Sequence, residues 1–334
     1  MIRVAILSFW HVHARDYAND ALNHPNTEIA AVWDELPSRG LEAANQLGVP
    51  FIEDLDELMQ NPNIDGVIVT TPTNMHRDVM VKAAKAGKHI FTEKVLAPTM
   101  KEVNQIIAAV QETGVKLTVS LPKLNDSYTL AVQNVIREGL LGELSLVRVR
   151  LAHNGATAGW LPEHFYNLEQ CGGGALIDLG CHPVYLNRLF LGMPESVSAN
   201  YGYITGKEVE DNAVSVFRYT NGAIGIAETS FVNSNSPFTV EVHGTEGTLM
   251  FGTPEPKLLI RSTKKNPSTW EEINLPQPRE SAFCQWIGHI QNGTEAEENI
   301  TLAIDLTKLM EASNISAKEQ RSILIRERLT TSIK

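Results

Sequence analysis

Long apolar runs are missing from this 334-residue sequence. None approaches the roughly 18 residues needed to cross a bilayer. Arg3 and the early polar residues leave no room for a signal peptide. Cysteine is scarce: Cys171, Cys181 and Cys284 are scattered, odd in number and without metal-ligand spacing. A disulfide framework is thereby excluded, and reduced thiols in a cytoplasmic protein are expected. Positive charge is short too. The 28 Lys and Arg against 39 Asp and Glu leave a formal net charge of -11. Such a surface repels phosphate backbones, so no nucleic-acid partner is expected, and no membrane partner. The last shortage is local. After the strand-like burst Val4–Leu7, where a dinucleotide-binding protein has glycines, the chain reads Ser8, Phe9, Trp10, His11, Val12, His13.

What is present is ample for a core, with 43% hydrophobic residues. The first 120 residues alternate strand and helix signals. Strands are expected at 4–7, 28–34, 51–54, 64–72, 88–94 and 115–120, with helices between them ending at glycines such as Gly48 and Gly87. That alternation means βαβ units and a doubly wound parallel sheet. After Leu121 the pattern changes. A helix is expected from Ser127 to Glu138, and residues 144–153 alternate apolar and polar with period 2, as a half-buried strand does. Similar strands are expected at 196–204, 213–219, 223–230, 238–243 and 247–251, with hairpin signals at Asn221-Gly222 and from Gly244 to Gly247. Helices at 172–190, 281–292 and 300–317 would cover this sheet. The reading is α/β: a Rossmann domain over 1–121, then a domain over 122–334 with a large, mostly antiparallel sheet. The C-terminal helices are free to pack back on the first domain.

Several stretches carry chemistry. Asp34 ends the second strand, where an acid accepts hydrogen bonds from an adenosine ribose diol and repels a 2′-phosphate. A helix N-cap is the plain alternative, and Arg39 stands close enough to blunt the repulsion. In TTPTNMH (70–76), Thr71, Pro72 and Thr73 leave a strand at its carboxyl end, the ligand side of such a sheet, and His76 enters the next helix. In FTEKV (91–95), Glu93 and Lys94 follow another strand directly. The strongest signal is CGGGALIDLGCH (171–182). Three glycines demand a sharp bend or a close approach. Asp178 and His182 follow at i and i+4, one face of a helix, where a carboxylate orients an imidazole for proton transfer.

These residues resemble the Gfo/Idh/MocA family, which includes glucose-fructose oxidoreductase and inositol dehydrogenase. The segment GGGALIDLGCH is similar to the family's GGGxLxDxGxH, Glu93-Lys94 falls on its Glu-Lys-Pro, and Thr71-Pro72 through His76 falls on its TPxxxH. The resemblance covers nearly the whole chain. It implies an enzyme that oxidises a secondary alcohol of a sugar, inositol or glycoside with NAD(P), Asp34 favouring NAD over NADP, and a homodimer or homotetramer. It implies that Lys94 hydrogen-bonds the reacting hydroxyl, that His182 takes its proton, and that Asp178 binds substrate or orients His182.

The departures are as specific as the matches. Placed without gaps, Ser8, Trp10 and His13 occupy the family's glycine positions. With a shorter loop, Phe9 to Val12 form a compact turn and His13-Ala14 falls on the family's later His-Ala. Either way Ser8, Phe9, Trp10, His11 and His13 join Asp34, Thr71, Pro72, Thr73, His76, Glu93 and Lys94 as expected cofactor residues, helped by helix N-terminal amides. His11 and His13 alone are two metal-ligand types, too few to define a site, and no metal is expected. Val95 replaces the family proline, Lys123 stands where an Arg is common, and Tyr185 replaces an Asp. Lys123, His153, Trp160 and Tyr166 join Asp178 and His182 as expected substrate residues. Two other readings use the same residues. One is a glycoside-cleaving enzyme that retains NAD and oxidises its sugar transiently, with Asp178, His182 and Tyr166 as acids and bases. The other is a non-catalytic dinucleotide or sugar sensor.

Overall fold

The computed structural model describes residues 1–253 and 255–325. They fall into two compact units, one of Met1–Ser120 with Glu280–Ala303, the other of Leu121–Arg279 with residues 304–325. Among the described residues no helix is long and apolar enough to cross a membrane.

The first unit is built on five strands: β1 (Ile2–Leu7), β2 (Thr27–Trp33), β3 (Gly66–Val69), β4 (His89–Thr92) and β5 (Leu117–Val119). Their order is β2-β1-β3-β4-β5, and every pair is parallel. Val4 to Leu7 are wholly buried, because helices on both faces of a parallel sheet demand unbroken apolar runs rather than alternation. The winding reverses at β1, which has β2 on one side and β3 on the other, and ligands bind beyond the carboxyl ends of strands at such a point. The strand expected at 51–54 shrinks to one bridge between Phe51 and Val32. Pro50 precedes it, and Asp54 is diverted to cap the helix Leu55–Gln60, accepting the Asp56 and Glu57 N–H groups.

A late helix, Ala282–Asn292, completes this core. It sends Phe283, Trp286 and Ile287 into the cluster around Phe91, with ring centroids 5.5 Å from Phe91 to Phe283 and 5.8 Å from Phe91 to Trp286. The Trp286 indole N–H donates to the Lys116 carbonyl at 3.2 Å. A Cβ at Gly66 would lie 3.0 Å from that indole, so glycine opens β3. Asn299 then seals the edge strand β5. Its Oδ1 accepts the Val119 N–H at 2.9 Å and its Nδ2 donates to the Val119 carbonyl at 2.8 Å, which blunts an otherwise unpaired edge.

The second unit is a nine-stranded sheet: β6 (Leu144–Ala152), β7 (Ser196–Gly202), β8 (Asn212–Arg218), β9 (Ile224–Ser230), β10 (Thr239–Gly244), β11 (Gly247–Phe251), β12 (Leu258–Ser262), β13 (Glu271–Glu272) and β14 (Ile323–Leu324). The order is β13-β12-β11-β10-β6-β9-β8-β7-β14. Only β6 and β9 run parallel; the other neighbours are antiparallel. Along β6, Val147 and Val149 are buried while Arg148 between them pairs with Glu228 at 3.0 Å. The helix Cys181–Leu191 packs on β6 and β9. β12, β13 and β14 were not expected; the last two have two residues each, too few to show alternation.

Trp286→Ala is expected to lower the unfolding free energy by about 3–5 kcal/mol, read from urea unfolding followed by circular dichroism. A loss under about 1 kcal/mol would mean that this helix does not hold the first core together.

Candidate active site

In the first unit, the turn after β1 stands on the carboxyl edge of the sheet. Ser8 is wholly buried and adopts φ 80, a left-handed conformation uncommon outside glycine. Its hydroxyl oxygen accepts the Trp10 N–H at 3.0 Å, so the side chain secures the turn that glycine elsewhere merely permits. The Phe9 N–H donates to Asp34 Oδ2 at 2.8 Å and the His11 N–H to the Thr70 carbonyl at 3.2 Å. The helix Ala14–Asn23 follows at once.

Asp34 has little left to offer a ligand. Besides Phe9, it accepts the Leu36 N–H at 2.8 Å and a two-pronged grip from Arg39, Nε to Oδ2 at 2.9 Å and Nη2 to Oδ1 at 2.7 Å. Its carboxylate is buried and ties β1 to β2. The neighbouring Glu35 also pairs with Arg39 through Oε1, but its Oε2 is buried without a hydrogen-bond partner. Thr71, at the end of β3, likewise has a buried Oγ1 with no partner. Pro72 and Thr73 lead into the short 3-10 turn Thr73–Met75. His76 is fully buried, with Nδ1 2.9 Å from the Val95 carbonyl and Nε2 3.3 Å from that of Thr71. It pins the loop after β3 to the loop after β4. Burial lowers its pKa, against the pull of those carbonyls.

Glu93 is the hub of this edge. Its Oε1 lies 3.2 Å from His13 Nδ1, 3.7 Å from His11 Nε2 and 3.8 Å from Lys94 Nζ. Its Oε2 accepts the Tyr17 hydroxyl, which is itself 2.7 Å from Ser120 Oγ. Burial alone would raise the Glu93 pKa; the charges of His11, His13 and Lys94 and the His13 hydrogen bond more than offset it and hold the carboxyl well below the usual range. Tyr17 is shifted the other way, first by burial and then by Glu93, so the phenol stays a donor. Tyr17 and Ser120 were missed in the sequence. Only the i, i+4 spacing of His13 and Tyr17 hinted at a shared helix face.

In the second unit, the helix expected over 172–190 opens late: Gly172 to Gly174 form a bend, and the helical run that follows begins as a π-turn. Gly172, φ 74, ends a short helix Leu168–Cys171. A π-turn spans Leu176–Gly180, and the helix proper is Cys181–Leu191. The π-turn carries Asp178 and inserts an extra residue into the register, so the i, i+4 geometry of a regular helix does not apply to Asp178 and His182. Glu210, unmarked in the sequence, organises the bend. Its carboxylate accepts the Gly174 N–H at 2.9 Å and the Leu176 N–H at 2.9 Å, and its carbonyl accepts the Ala175 N–H at 2.9 Å. A Cβ at Gly174 would lie 2.1 Å from that carbonyl. Gly174 is therefore required by this close approach. Burial raises the Glu210 pKa, and the backbone donors pull it back only in part.

His182 is buried, with Nδ1 3.1 Å from the Tyr185 hydroxyl. Tyr185 also accepts the Lys123 N–H at 3.0 Å, which leaves its own proton for the imidazole. Burial raises its pKa, so it remains a neutral phenol. The Lys123 ammonium lies 3.5 Å from Asp126 and 5.0 Å from the Phe238 ring. His153 stacks on Phe231 with centroids 5.1 Å apart and against Trp160 at 4.6 Å. Its pKa is lowered by burial, against the raising charge of Asp178, which puts Asp178 within electrostatic reach of His153. Tyr166 packs into the same cluster as Phe231, whereas Trp160 is 55% exposed. A separate cavity of about 900 Å³, bordered by Ser198, Tyr201, Glu210 and Asn314, includes none of the expected substrate residues.

Residues 2–121 match the model of an oxidoreductase family with an NAD-binding Rossmann fold, and residues 129–250 match the Gfo/Idh/MocA C-terminal domain. The chain belongs to the Gfo/Idh/MocA family. The 1,5-anhydro-D-fructose reductase of Ensifer adhaerens is 28% identical over 322 residues, covering 92% of this chain and 95% of that protein. The scyllo-inositol 2-dehydrogenase (NAD(+)) of Bacillus subtilis (strain 168) is 28% identical over 330 residues, covering 94% and 93%. An NAD-binding protein from Listeria innocua shares the fold with TM-score 0.86 at 22% identity, covering 99% of both chains. Levoglucosan dehydrogenase, solved with NADH and levoglucosan, shares it with TM-score 0.82 at 20% identity, covering 98% and 99%. In this Gfo/Idh/MocA chain the turn after β1 has no glycine, and side-chain hydrogen bonds of Ser8 and Asp34 help to fix it.

Glu210→Ala would strand two buried N–H groups at the bend. We expect about 1–3 kcal/mol of lost stability for each, measured by urea unfolding, with faster amide exchange confined to the glycine segment. Unaltered exchange there would mean that Glu210 does not set the bend.

Proposed function

We propose that this chain is an NAD-dependent dehydrogenase acting on a secondary alcohol of a sugar, inositol or glycoside. The observation that carries the reading is Lys94, an ammonium 6% exposed at the carboxyl end of β4, 3.8 Å from a buried carboxylate. Burying a charge is costly unless it is paired, and this pairing stands on the ligand side of a Rossmann sheet.

The residues present fit a dinucleotide. Thr71 Oγ1 and Glu35 Oε2 are buried polar atoms without partners, at the ends of β3 and β2 where such a ligand binds. Since Asp34 is saturated, Glu35 is the residue that would accept the adenosine ribose hydroxyls and reject a 2′-phosphate. Relatives are divided on this point: a Bacillus subtilis relative, 23% identical, is a scyllo-inositol 2-dehydrogenase (NADP(+)), so Glu35 carries the assignment of NAD.

When bound, the nicotinamide supplies the acceptor for the hydride of the carbinol carbon. The chain supplies the rest. Lys94 stabilises the negative charge that develops on the alcohol oxygen, and its pairing with Glu93 holds it in place. His182 takes the hydroxyl proton, with its ring orientation set by Tyr185 rather than by the carboxylate common at that position in the family. Tyr185 is uncharged, so it holds the ring without placing an anion beside it.

The test is reduction of NAD by the purified chain with a panel of inositols and anhydro-sugars. Lys94→Ala is expected to lower turnover about 100- to 10,000-fold while the fold persists. Glu35→Ala is expected to weaken NAD binding about tenfold or more and to narrow the preference over NADP. Full turnover by Lys94→Ala, or no reduced nicotinamide with any alcohol, would contradict the reading.

A further inference from the structure

His11, His13 and Glu93 converge within the first unit. One donor atom from each lies within 4.8 Å of the other two. His13 Nδ1 is 3.2 Å and His11 Nε2 3.7 Å from the same carboxylate oxygen. Around a zinc-like ion with bonds of about 2.0–2.2 Å, tetrahedral ligands stand about 3.3–3.5 Å apart, so the two separations bracket that spacing. We propose that His11, His13 and Glu93 form a binding site for a divalent transition metal, with a further position open to water or a ligand oxygen.

Three features support it. The donors are two imidazoles and one carboxylate, a set that suits zinc and its neighbours rather than calcium or magnesium. The carboxylate is held from behind: Tyr17 donates to Oε2 and is itself braced by Ser120, as outer-shell partners orient a ligating carboxylate. Glu93 is 2% exposed at its side chain but His13 is 42% exposed, so a buried ligand is reached through an accessible one.

Binding requires a lone pair on His11 Nε2 and on His13 Nδ1, so any proton on either atom moves to the other ring nitrogen or leaves to solvent. His11 Nδ1 accepts the His13 N–H at 3.2 Å, a long bond that is given up if His11 takes its proton there. Lys94, 3.8 Å from the shared oxygen, is the like-charged neighbour that opposes the ion. The site shares Glu93 with the dehydrogenase reading, but its ligands all come from this chain and metal uptake needs no nucleotide, so the two are tested apart.

The test uses the whole chain, stripped with a chelator and dialysed against zinc(II) or cobalt(II) without nucleotide or substrate. Mass spectrometry of the metal content is expected to find about one ion per chain, and the cobalt form is expected to show the intense visible bands of a low-coordinate site. His13→Ala, at a half-exposed position, is expected to weaken uptake by about tenfold or more with an unchanged melting profile; His11→Ala is expected to do the same. Should His11→Ala fail to fold, His13→Ala carries the test alone. No retained ion in the folded parent, or equal uptake by folded His13→Ala, would overturn the proposal.

Discussion

The first unit depends on one buried carboxylate. Glu93 leaves β4 into an environment that would discharge it, and it stays charged because donors reach it from three other places. Tyr17 comes from the helix after the first turn, His11 and His13 from the turn itself, and Lys94 from the next residue along. Each contact fixes something. The turn after β1 has no glycine fingerprint to shape it, yet it is held on one side by Glu93 and on the other by Asp34 and Thr70. Lys94 is held at the carboxyl ends of the strands.

The second unit uses a related device. Glu210 is also buried and also spends its oxygens on a loop, here on the N–H groups that open the glycine-rich bend. The two glutamates differ in electrostatics. Glu93 is surrounded by groups that are or become cationic, so its pKa falls; Glu210 has mainly backbone dipoles, which do not offset burial, so its pKa rises. Both fix the segment that bears a proposed proton-handling residue, Lys94 in one unit and His182 in the other.

Much of the fold was legible because its signals are local. Fully apolar strands with glycine-ended helices mean a parallel sheet, and period-2 strands with Asn221-Gly222 mean hairpins. The family motifs were legible for the same reason, as runs of adjacent residues. What escaped was decided at long range. Nothing near Glu210 announces that it will meet Gly174, 36 residues away, and nothing near Ser120 announces Tyr17. Asp34 looked like a ligand acceptor because its strand-end position suits one; Arg39 and two main-chain N–H groups claim it first. The helix expected at 172–190 had the right composition, but the bend at 172–174 delays its start and the π-turn at 176–180 shifts its register.

The central claim is that the Glu93 carboxylate, together with Ser8 and Asp34 and in place of glycine, fixes the turn after β1 at the carboxyl edge of the sheet. Amide hydrogen exchange on Glu93→Gln tests it most directly, since glutamine keeps the size and loses the charge. The account predicts exchange faster by about tenfold or more across residues 10–17, with protection in the second unit unchanged. Parent-like protection across that turn in a folded Glu93→Gln chain would contradict it.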